Sequence, residues 1–405
     1  MKLLLVVAYF PPEISSAGHV YFDLAKAFVN RGHSVDVITS YPRKFNLITE
    51  DYIKEFPLHE TIEGIEVHRC KHRAQRDNIA LRGLEHFVLP HYYFKKYKSL
   101  GKKFDVCLMY IPPLPLYYLA QKIKRYDETK SVLNFQDFHP QELTDVGVLK
   151  NPFLIWAMRH VEKQAYKNAD FITVLSHGGV QYIVDRGGNP DKIAHIFNGV
   201  LLSELDHLLI KKEFKKREGI EDKFLVSYAG ILSPFQGVDS ILDAAKIMTD
   251  NDDIVFYLVG DGMVKKQLCD RIQKEHISNV KILPLQPLEE YFDIINSSDV
   301  SLVTLDTRMK APCIPGKLRN LMEVEQPIIG VVPEESETAQ TISSAQCGII
   351  VSPQDQKGLR TTIQRLYKNL DEKEMYGKNG RAFLEEHMSL EKNVSQYEEI
   401  FGKLI

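Results

Sequence analysis

The stretch VVAYFPPEISSAGHVYFDLAKAFVNRGHSVDVIT, residues 6–39, decides the fold class. It begins as a short apolar run, becomes polar around two prolines, and then repeats apolar residues at helical spacing. Val20, Leu24 and Phe28 form the apolar stripe of a helix, which Gly32 ends. A second apolar run follows at once. Two buried strands joined by an amphipathic helix are the unit from which parallel α/β sheets are built.

The same alternation of apolar runs and amphipathic segments continues along the chain, which has 405 residues. A chain of this length exceeds one ordinary core and favours two domains. We therefore predict an α/β protein of two doubly wound, Rossmann-like domains. The pattern becomes helical and strongly charged at residues 201–223. We place the domains at residues 1–200 and 201–388, and expect the last helix, residues 389–405, to pack back on the first domain.

Composition excludes several classes of protein. Hydrophobic residues make up 44% and charged residues 26% of the chain, as in soluble globular proteins. The net charge of -3 provides no general attraction to nucleic acid. The five cysteines lack paired spacing, which argues against a disulfide framework or a zinc site and fits a reducing cytoplasm. No run of about 18 apolar residues predicts a membrane span, and the apolar N-terminus is predicted as a strand and not a signal peptide.

The loop after the first predicted strand excludes two kinds of nucleotide site. A dinucleotide site needs G-x-G-x-x-G here and a P-loop needs G-x-x-x-x-G-K-[ST], whereas this loop has a single glycine, Gly18. Ser16 and Gly18 still place small residues at a helix N-terminus, where backbone N–H groups can bind the anionic part of a donor. An ordinary N-cap by Ser15 or Ser16 explains the same residues, and the sequence leaves both interpretations open.

Further stretches of the chain follow in a characteristic order. They include NFQDFHPQE, ADFITVLS, VSYAGILSPFQGVDSILDAA, FYLVGDG and PGKLRNLMEVEQPIIG. Together with residues 6–39, they resemble the family 4 retaining glycosyltransferases of the GT-B architecture, in the branch that builds surface polysaccharides with amino- or deoxy-sugars. The resemblance covers nearly the whole chain. It implies that the two domains face a cleft between them and that the C-terminal half holds a nucleotide-sugar.

The resemblance implies a site for the leaving diphosphate, whose developing negative charge needs cations or backbone donors. The loop AGILSPFQG, which contains Gly230, follows a strand, and most relatives carry an arginine and a lysine where this chain has Ile231 and Gln236. Lys317, at the start of a helix in PGKLRN, is therefore the leading cation, both as a donor contact and as a catalytic residue. A plain solvated lysine is the alternative, although a cation is unfavourable at that helix end without an anion.

The paired glutamates of the family are missing from this chain. Their positions fall on Pro312 and Asn320, and Asn320 can bind the ribose hydroxyls only as a neutral group. Glu323, three residues along the same helix, either substitutes for the lost carboxylate or is a surface residue. Arg308 and Arg319 are reserve cations for the diphosphate.

Four more residues are candidates for the donor site. Gly260 and Gly262, in the GDG that follows a strand, either border the nucleoside or only form a turn. Ser336 and Glu337 open a helix and are first interpreted as a capping arrangement. In the family, the equivalent loop lies near the donor.

On the N-terminal side, the segment NFQDFHPQE follows a strand and holds a cluster of polar residues. By resemblance, Gln136 takes the place of a histidine that touches the transferred sugar, and Asp137 follows in the matching position. We take Asp137 and His139 as catalytic candidates, with a hydrogen-bonded turn as the structural alternative. Asn198 and Gly199 fit a hinge between the domains.

Residues 68–104 form a basic segment in a chain that is net acidic. Its second half interleaves aromatic residues with lysines, namely Lys95, Lys96, Lys98, Lys102 and Lys103. Such a mixture suits the surface of an anionic membrane, and a lipid-linked acceptor would make that contact useful. A solvated helix face is the alternative, and no RNA-binding motif accompanies the segment. We expect a cytoplasmic protein, peripheral on the inner face of the membrane.

The sequence thus predicts a retaining hexosyltransferase that moves an N-acetylated or deoxy hexosamine from a UDP-sugar to a saccharide or lipid-linked saccharide. No Asp-x-Asp pair is placed to hold a metal, and no cofactor is implied. By resemblance, the departing diphosphate accepts the proton of the acceptor, and no protein nucleophile is needed. Two alternatives stay open: a non-catalytic homologue that binds a nucleotide or scaffolds a partner transferase, and a UDP-sugar 2-epimerase.

Overall fold

The computed structural model describes residues 1–43, 47, 49–71, 79–204, 207 and 212–405. In this part of the chain, the backbone sorts into two compact units. The first comprises Met1–Pro140, Leu149–Leu201 and Met388–Ile405, and the second comprises Gln141–Val148 and Leu202–His387. The break after Leu201 lies one residue beyond the boundary that we predicted. The segment 141–148 sorts with the second unit, which the sequence did not indicate.

The first unit is built on an eight-stranded sheet. The elements of this part of the chain, including α4 of the second unit, are β1 (Lys2–Val6), α1 (Ser16–Asn30), β2 (Ser34–Ser40), β3 (His59–Ile62), β4 (Ile65–Cys70), α2 (Ile79–Ser99), β5 (Val106–Ile111), α3 (Leu116–Asp127), β6 (Lys130–Phe135), α4 (Gln141–Asp145), α5 (Pro152–Asn168), β7 (Phe171–Val174), α6 (His177–Val184) and β8 (Ile193–His195). The strand order is β3-β4-β2-β1-β5-β6-β7-β8, and neighbours pair in parallel except β3 with β4. Strand β3 was not predicted, because its residues alternate between exposed and half-buried and so form no apolar run.

The second unit is built on a six-stranded sheet. Its elements, followed by the last helix of the chain, are α7 (Phe214–Glu218), β9 (Phe224–Ala229), α8 (Asp239–Lys246), β10 (Ile254–Val259), α9 (Lys265–Lys274), β11 (Val280–Leu283), α10 (Leu288–Ser297), β12 (Val300–Thr304), α11 (Gly316–Glu323), β13 (Ile328–Val331), α12 (Glu337–Ala345), β14 (Gly348–Val351), α13 (Gln356–Lys368), α14 (Leu370–His387) and α15 (Leu390–Leu404). The strands are parallel in the order β11-β10-β9-β12-β13-β14. Two sheets of parallel strands, apart from β3 at the edge of the first, alternate with helices along the chain and confirm the predicted α/β fold class.

The last helix, α15, packs on the first unit. The ring of Phe28, in α1, lies 6.3 Å from that of Tyr397 and 5.7 Å from that of Phe401. All three side chains are buried, and each large buried side chain contributes roughly 1.5–3 kcal/mol. A β-bridge between Val200 and Ser389 fixes the chain where it enters this helix.

Helix α11, which carries the proposed diphosphate lysine, is held at its C-terminal end by α14. A Cβ atom on Gly377 of α14 would lie 2.1 Å from the carbonyl oxygen of Glu325, just beyond α11. Arg381, one turn further along α14, donates to the carbonyl of Glu323 at 3.1 Å. The arginine thereby satisfies a C-terminal carbonyl of α11 that has no partner within the helix. The absence of a side chain at Gly377 is what allows α14 to approach this closely.

We expect Gly377→Ala to destabilise the protein by about 1–3 kcal/mol. The new methyl group would overlap the carbonyl oxygen of Glu325, which, as a backbone atom, cannot move away by a side-chain rotation. Gly402→Ala is the matched control: it is also a helical glycine, and a Cβ there meets nothing within 4 Å. Alanine in that helix should be neutral or stabilising by up to about 1 kcal/mol. Differential scanning calorimetry of both variants measures the effect. Equal melting of Gly377→Ala and wild type would contradict the packing described here.

Candidate functional site

Two glycine-bearing loops lie side by side at the carboxyl ends of β9 and β10. A Cβ atom on Gly260 would lie 1.9 Å from the carbonyl oxygen of Gly230, and one on Gly262 would lie 2.2 Å from that of Leu232. Their φ angles, +155° and +151°, are also ones that residues with a side chain rarely adopt. The contact between the loops therefore accounts for both glycines of the GDG motif. Their predicted contact with the nucleoside stays a prediction.

Lys317 lies in the first turn of α11, and its side chain contacts the loop after β9. Its Nζ donates to Oε1 of Gln236 at 2.9 Å and lies 3.6 Å from the centroid of the Tyr228 ring. A Cβ atom on Gly230 would lie 3.0 Å from both Cε and Nζ of the lysine. These contacts form a seat for one ammonium group at the carboxyl end of a central strand, where ligands bind in open α/β sheets.

The ammonium of Lys317 has no carboxylate partner in the part of the chain that the structure describes, where no Asp or Glu oxygen lies within 4.0 Å of its Nζ. Burial lowers the pKa of this lysine well below its usual range. The surrounding protein removes water from the ammonium without supplying a negative charge. A bound anion would supply that charge and raise the pKa again.

The two reserve cations are neutralised within the fold. Arg308 binds both carboxylate oxygens of Asp306, at 2.7 and 3.0 Å. The Nε of Arg319 lies 3.0 Å from the carboxylate of Glu323, which is 5% exposed and whose pKa is raised by burial. Glu323 therefore pairs with the half-buried Arg319 and is not a surface residue, whereas its predicted contact with the ribose stays a prediction. Of the three predicted cations, Lys317 is the one that keeps an uncompensated charge.

The N-terminus of α11 adds backbone donors next to Lys317. Pro315 precedes the helix and makes no side-chain capping hydrogen bond, so no side chain at that position competes with an anion for the first N–H groups and the positive end of the helix dipole. Asn320 lies one turn further along. Its Nδ2 donates to the Tyr291 hydroxyl at 3.3 Å, and its Oδ1 accepts from Arg319 at 3.2 Å. The amide is held in place as a neutral polar group near the start of the helix.

The first turn of α12 supports the loop before α11. Ser336 caps α12, since its Oγ accepts from the N–H of Ala339 at 3.2 Å. The buried hydroxyl of Thr338 donates to the carbonyl of Cys313 at 2.9 Å. The capping interpretation therefore holds for Ser336, and Glu337 lies half-buried in the same turn. Their predicted contact with the donor stays a prediction.

A carboxylate that the sequence analysis missed holds the same loop. Oδ2 of Asp145, at the end of α4, accepts from the backbone N–H groups of Lys310 at 2.8 Å and Ala311 at 3.0 Å. Its Oδ1 accepts from the side chain of Gln141 at 2.6 Å. The sequence carries no signal for this contact, because its partners are backbone groups 165 and 166 residues further along the chain.

In the first unit, Gln136 belongs to a buried amide network at the end of β6. Its Nε2 donates to Oδ1 of Asn134 at 2.6 Å and to Oδ1 of Asn198 at 3.0 Å, and its Oε1 accepts from Asn198 at 2.7 Å. Asn134 also accepts from the hydroxyl of Tyr21 at 3.3 Å and donates to Thr173 at 2.9 Å. The network fixes the predicted hinge residue Asn198 to the strand end. The contact of Gln136 with a transferred sugar stays a prediction.

Asp137 and His139 follow this network and are both partly buried. Burial raises the pKa of the Asp137 carboxyl to about 6 and lowers the pKa of the His139 imidazole to about 4. At neutral pH, Asp137 is therefore mostly ionised and His139 is neutral. A charged carboxylate suits the stabilisation of positive charge on a sugar ring, whereas a neutral imidazole of such low pKa is a poor proton donor.

The loop after β1 contains an N-cap, which was one of the two interpretations of its sequence. Oγ of Ser15 accepts from the N–H of Gly18 at 3.0 Å. A Cβ atom on Gly18 would lie 2.8 Å from that Oγ and 3.4 Å from the carbonyl oxygen of Tyr9. Ser16, the first residue of α1, is exposed. The cap explains Gly18 by packing, and anion binding by Ser16 and Gly18 stays a prediction.

Two residues of the basic segment 68–104 form ion pairs within the first unit. Arg69 is buried and pairs with Glu60. The Nζ of Lys102 lies 2.6 Å from the carboxylate of the buried Asp36. Lys102 therefore neutralises a buried acid, and we remove it from the predicted membrane-side residues.

The rest of the basic segment is divided between surface and interior. Lys95, Lys98 and Lys103 are exposed, whereas Lys96 is half-buried. Residues 72–78 of the segment lie outside the described residues. In the described part of the chain, no helix combines the length and the apolar character needed to cross a bilayer.

Comparison with known proteins agrees with this architecture. Residues 17–199 match the family model of the glycosyl transferase 4-like domain, and residues 210–383 match that of glycosyl transferases group 1. The colanic acid biosynthesis glycosyl transferase WcaI of Escherichia coli is 20% identical over 80% of this chain and 81% of its own. The N-acetyl-alpha-D-glucosaminyl L-malate synthase of Bacillus anthracis is 22% identical over 99% of this chain and 97% of its own.

Solved structures share the fold over the whole chain. Sucrose-phosphate synthase of Thermosynechococcus elongatus superposes with a TM-score of 0.78 at 16% identity, covering 100% of this chain and 99% of that one. HepE of Anabaena, crystallised with UDP-glucose, gives a TM-score of 0.72 at 15% identity and full coverage of both chains. With a glycosyltransferase model matched in each half, the chain belongs to the family 4-like glycosyltransferases of the GT-B fold.

Proposed function

We propose that this glycosyltransferase is a metal-independent, retaining hexosyltransferase that takes an N-acetylated or deoxy hexosamine from a UDP-sugar. The acceptor is a saccharide or lipid-linked saccharide in cell-surface glycan synthesis. The observation that carries the proposal is the Lys317 ammonium, which lies at a helix N-terminus and has no carboxylate partner among the described residues. The negative charge of a nucleoside diphosphate is complementary to this ammonium group and to the helix N-terminus.

The chemistry follows from where charge develops. As the bond between the anomeric carbon and the β-phosphate oxygen breaks, negative charge builds up on that oxygen, and Lys317 with the first N–H groups of α11 stabilises it. The acceptor hydroxyl attacks from the face that the diphosphate leaves. Its proton passes to the departing phosphate oxygen, so the configuration is retained without a protein nucleophile. Asp137, ionised at neutral pH, stabilises the positive charge on the sugar ring.

The relatives support the choice of donor and role. HepE has been crystallised with UDP, with UDP and glucose, and with UDP-glucose. One curated relative is named for colanic acid biosynthesis, and another is named an N-acetyl-alpha-D-glucosaminyl L-malate synthase. A UDP-linked hexosamine and a surface glycan are therefore the first donor and product to test. We also propose that the chain makes a peripheral membrane contact, which would bring it to a lipid-linked acceptor.

A non-catalytic, nucleotide-binding homologue is the second candidate. Ile231, which replaces a cation of the family, is 68% exposed, and the side chain of Gln236 is engaged by Lys317. The loop after β9 thus contributes no positive charge of its own. Both candidates bind UDP, but the transferase alone forms a glycoside from a UDP-sugar and an acceptor. A 2-epimerase would instead convert the UDP-sugar without an acceptor.

Calorimetric titration with UDP tests directly whether the diphosphate binds at Lys317. We expect Lys317→Ala to weaken UDP binding by about 1.5–3 kcal/mol, the usual contribution of a hydrogen bond to a charged group. Because a bound diphosphate would raise the lowered pKa of Lys317, the affinity of the wild type for UDP should fall as the pH is raised from neutral through the titration of this lysine. The variant should not show this fall.

Lys357→Ala is the matched control for this titration. Lys357 is also the second residue of a helix in the second unit, and it is exposed. The control should bind UDP as wild type does. Equal UDP affinity of Lys317→Ala and wild type would contradict the assignment of the diphosphate to this site.

The raised pKa of Asp137 predicts a pH-dependent stability. A carboxyl whose pKa is about 6 in the folded protein and about 4 when unfolded holds its proton more tightly when folded. Its contribution to stability is therefore full below pH ~4 and is lost as the pH rises through ~6. Asp137→Asn, which cannot ionise, should gain about 1–3 kcal/mol over wild type between pH 4 and pH 8. Thermal unfolding of both proteins across this range measures the gain, and parallel curves would disprove the burial of this charge.

A further inference from the structure

Helices α2 and α3 of the first unit enclose a groove on the protein surface. It forms a cavity of about 340 Å³ that is lined by aromatic and cationic side chains, among them Phe87, His91, Tyr118, Lys122 and Arg125. Phe87 and Tyr118 are 44% and 40% exposed, so both rings are open to solvent. The groove therefore presents apolar and positively charged surface together.

The cations around this groove form no ion pairs within the described part of the chain. Lys95 and Lys98 of α2, and Lys122 and Arg125 of α3, have no carboxylate within 4.0 Å among the described residues. The ring of Phe94 lies between the helices, 5.3 Å from the Nζ of Lys98 and 5.9 Å from that of Lys122. A spacing of three residues keeps the two cations of each helix on one side of it. We call this surface, formed by Phe87, Lys95, Lys98, Tyr118, Lys122 and Arg125, the α2–α3 face.

Nearby acids do not neutralise the face. Glu85 of α2 is buried and pairs with Arg43 at 2.5 Å. Asp127, at the end of α3, accepts a hydrogen bond from the Tyr97 hydroxyl at 2.6 Å. The face is thus locally positive in a chain whose net charge is -3. A partner that fits it carries negative charge and offers an apolar region to the exposed rings.

We infer that the α2–α3 face docks on an anionic phospholipid bilayer, with one lipid headgroup phosphate seated in the groove between Lys122, Arg125 and His91. Lysines that keep their charge at the headgroup level, beside aromatic rings that enter the interface, are the features of interfacial binding. This inference rests on the proposed membrane contact and specifies it: α3, which the basic segment of the sequence does not include, supplies half of the surface. No RNA-binding motif accompanies these residues, which favours the bilayer as the partner.

Co-sedimentation of the full chain with vesicles tests the inference. Vesicles of phosphatidylcholine with added phosphatidylglycerol should bind the wild type, and vesicles of phosphatidylcholine alone should not. Neutralising Lys95, Lys98, Lys122 and Arg125 together to glutamine should reduce binding by roughly 100-fold or more, since each cation near an anionic surface contributes about fivefold. Phe87→Ser with Tyr118→Ser should also reduce binding, and added salt should weaken the wild type.

A charge-matched control separates the face from general electrostatics. Replacing Lys266, Lys274, Lys357 and Lys378 of the second unit, all exposed, by glutamine changes the net charge equally and should leave vesicle binding unchanged. Equal loss in both quadruple variants would overturn the inference. The inference would also be overturned if the first quadruple variant bound vesicles as tightly as the wild type. Replacing the exposed Phe153 and Trp156 of α5 would then show whether that apolar pair makes the contact instead. Loss of binding with the cation variant but not with the ring variant would show a purely electrostatic contact and would overturn the inferred insertion of the exposed rings into the bilayer.

The same samples distinguish this inference from the proposed function. UDP titration of the cation variant should give the wild-type affinity, because the α2–α3 face belongs to the first unit and Lys317 to the second. Loss of vesicle binding with intact UDP binding is the expected result. Vesicle binding without any UDP binding would instead leave the membrane surface standing and reject the transferase proposal.

Discussion

The unpaired ammonium of Lys317 is the constraint on which the account of the site depends. Its Nζ rests against the Tyr228 ring and the Gln236 amide, neither of which carries a negative charge. A cation held this way is unfavourable in the free protein, and its lowered pKa expresses that cost. An anion at the start of α11 would relieve it. The fold thus leaves one positive charge for a ligand to neutralise, and strongly shifted pKa values of this kind are typical of functional sites.

Several parts of the second unit serve to place that ammonium. Gly230 leaves the space that the lysine side chain occupies, and Gly377 lets α14 approach the end of α11. Asp145 fixes the loop before α11 through backbone N–H groups. These contacts are local packing constraints, so they do not require the family's charged residues on the loop after β9. That loop presents the uncharged residues Ile231 and Gln236, and the packing around it still positions the ammonium of Lys317.

The sequence was sufficient for the architecture and for part of the site. Apolar runs predicted the parallel strands because most of those strands are buried along their length, whereas β3 alternates between exposed and half-buried residues and gave no such run. Lys317 could be found because a lysine in a first helical turn conflicts with the helix dipole. The pairing of Glu323 with Arg319 follows four-residue spacing and could have been anticipated. The role of Asp145 could not, since it depends on a contact between segments far apart in the chain.

A crystal structure of the protein soaked with UDP is the most direct test of this account. We predict the diphosphate within hydrogen-bond distance of Lys317 Nζ and of the first N–H groups of α11, with the lysine released from Gln236 or shared with it. A nucleotide bound away from α11, with the lysine still held only by Gln236 and Tyr228, would contradict the central claim.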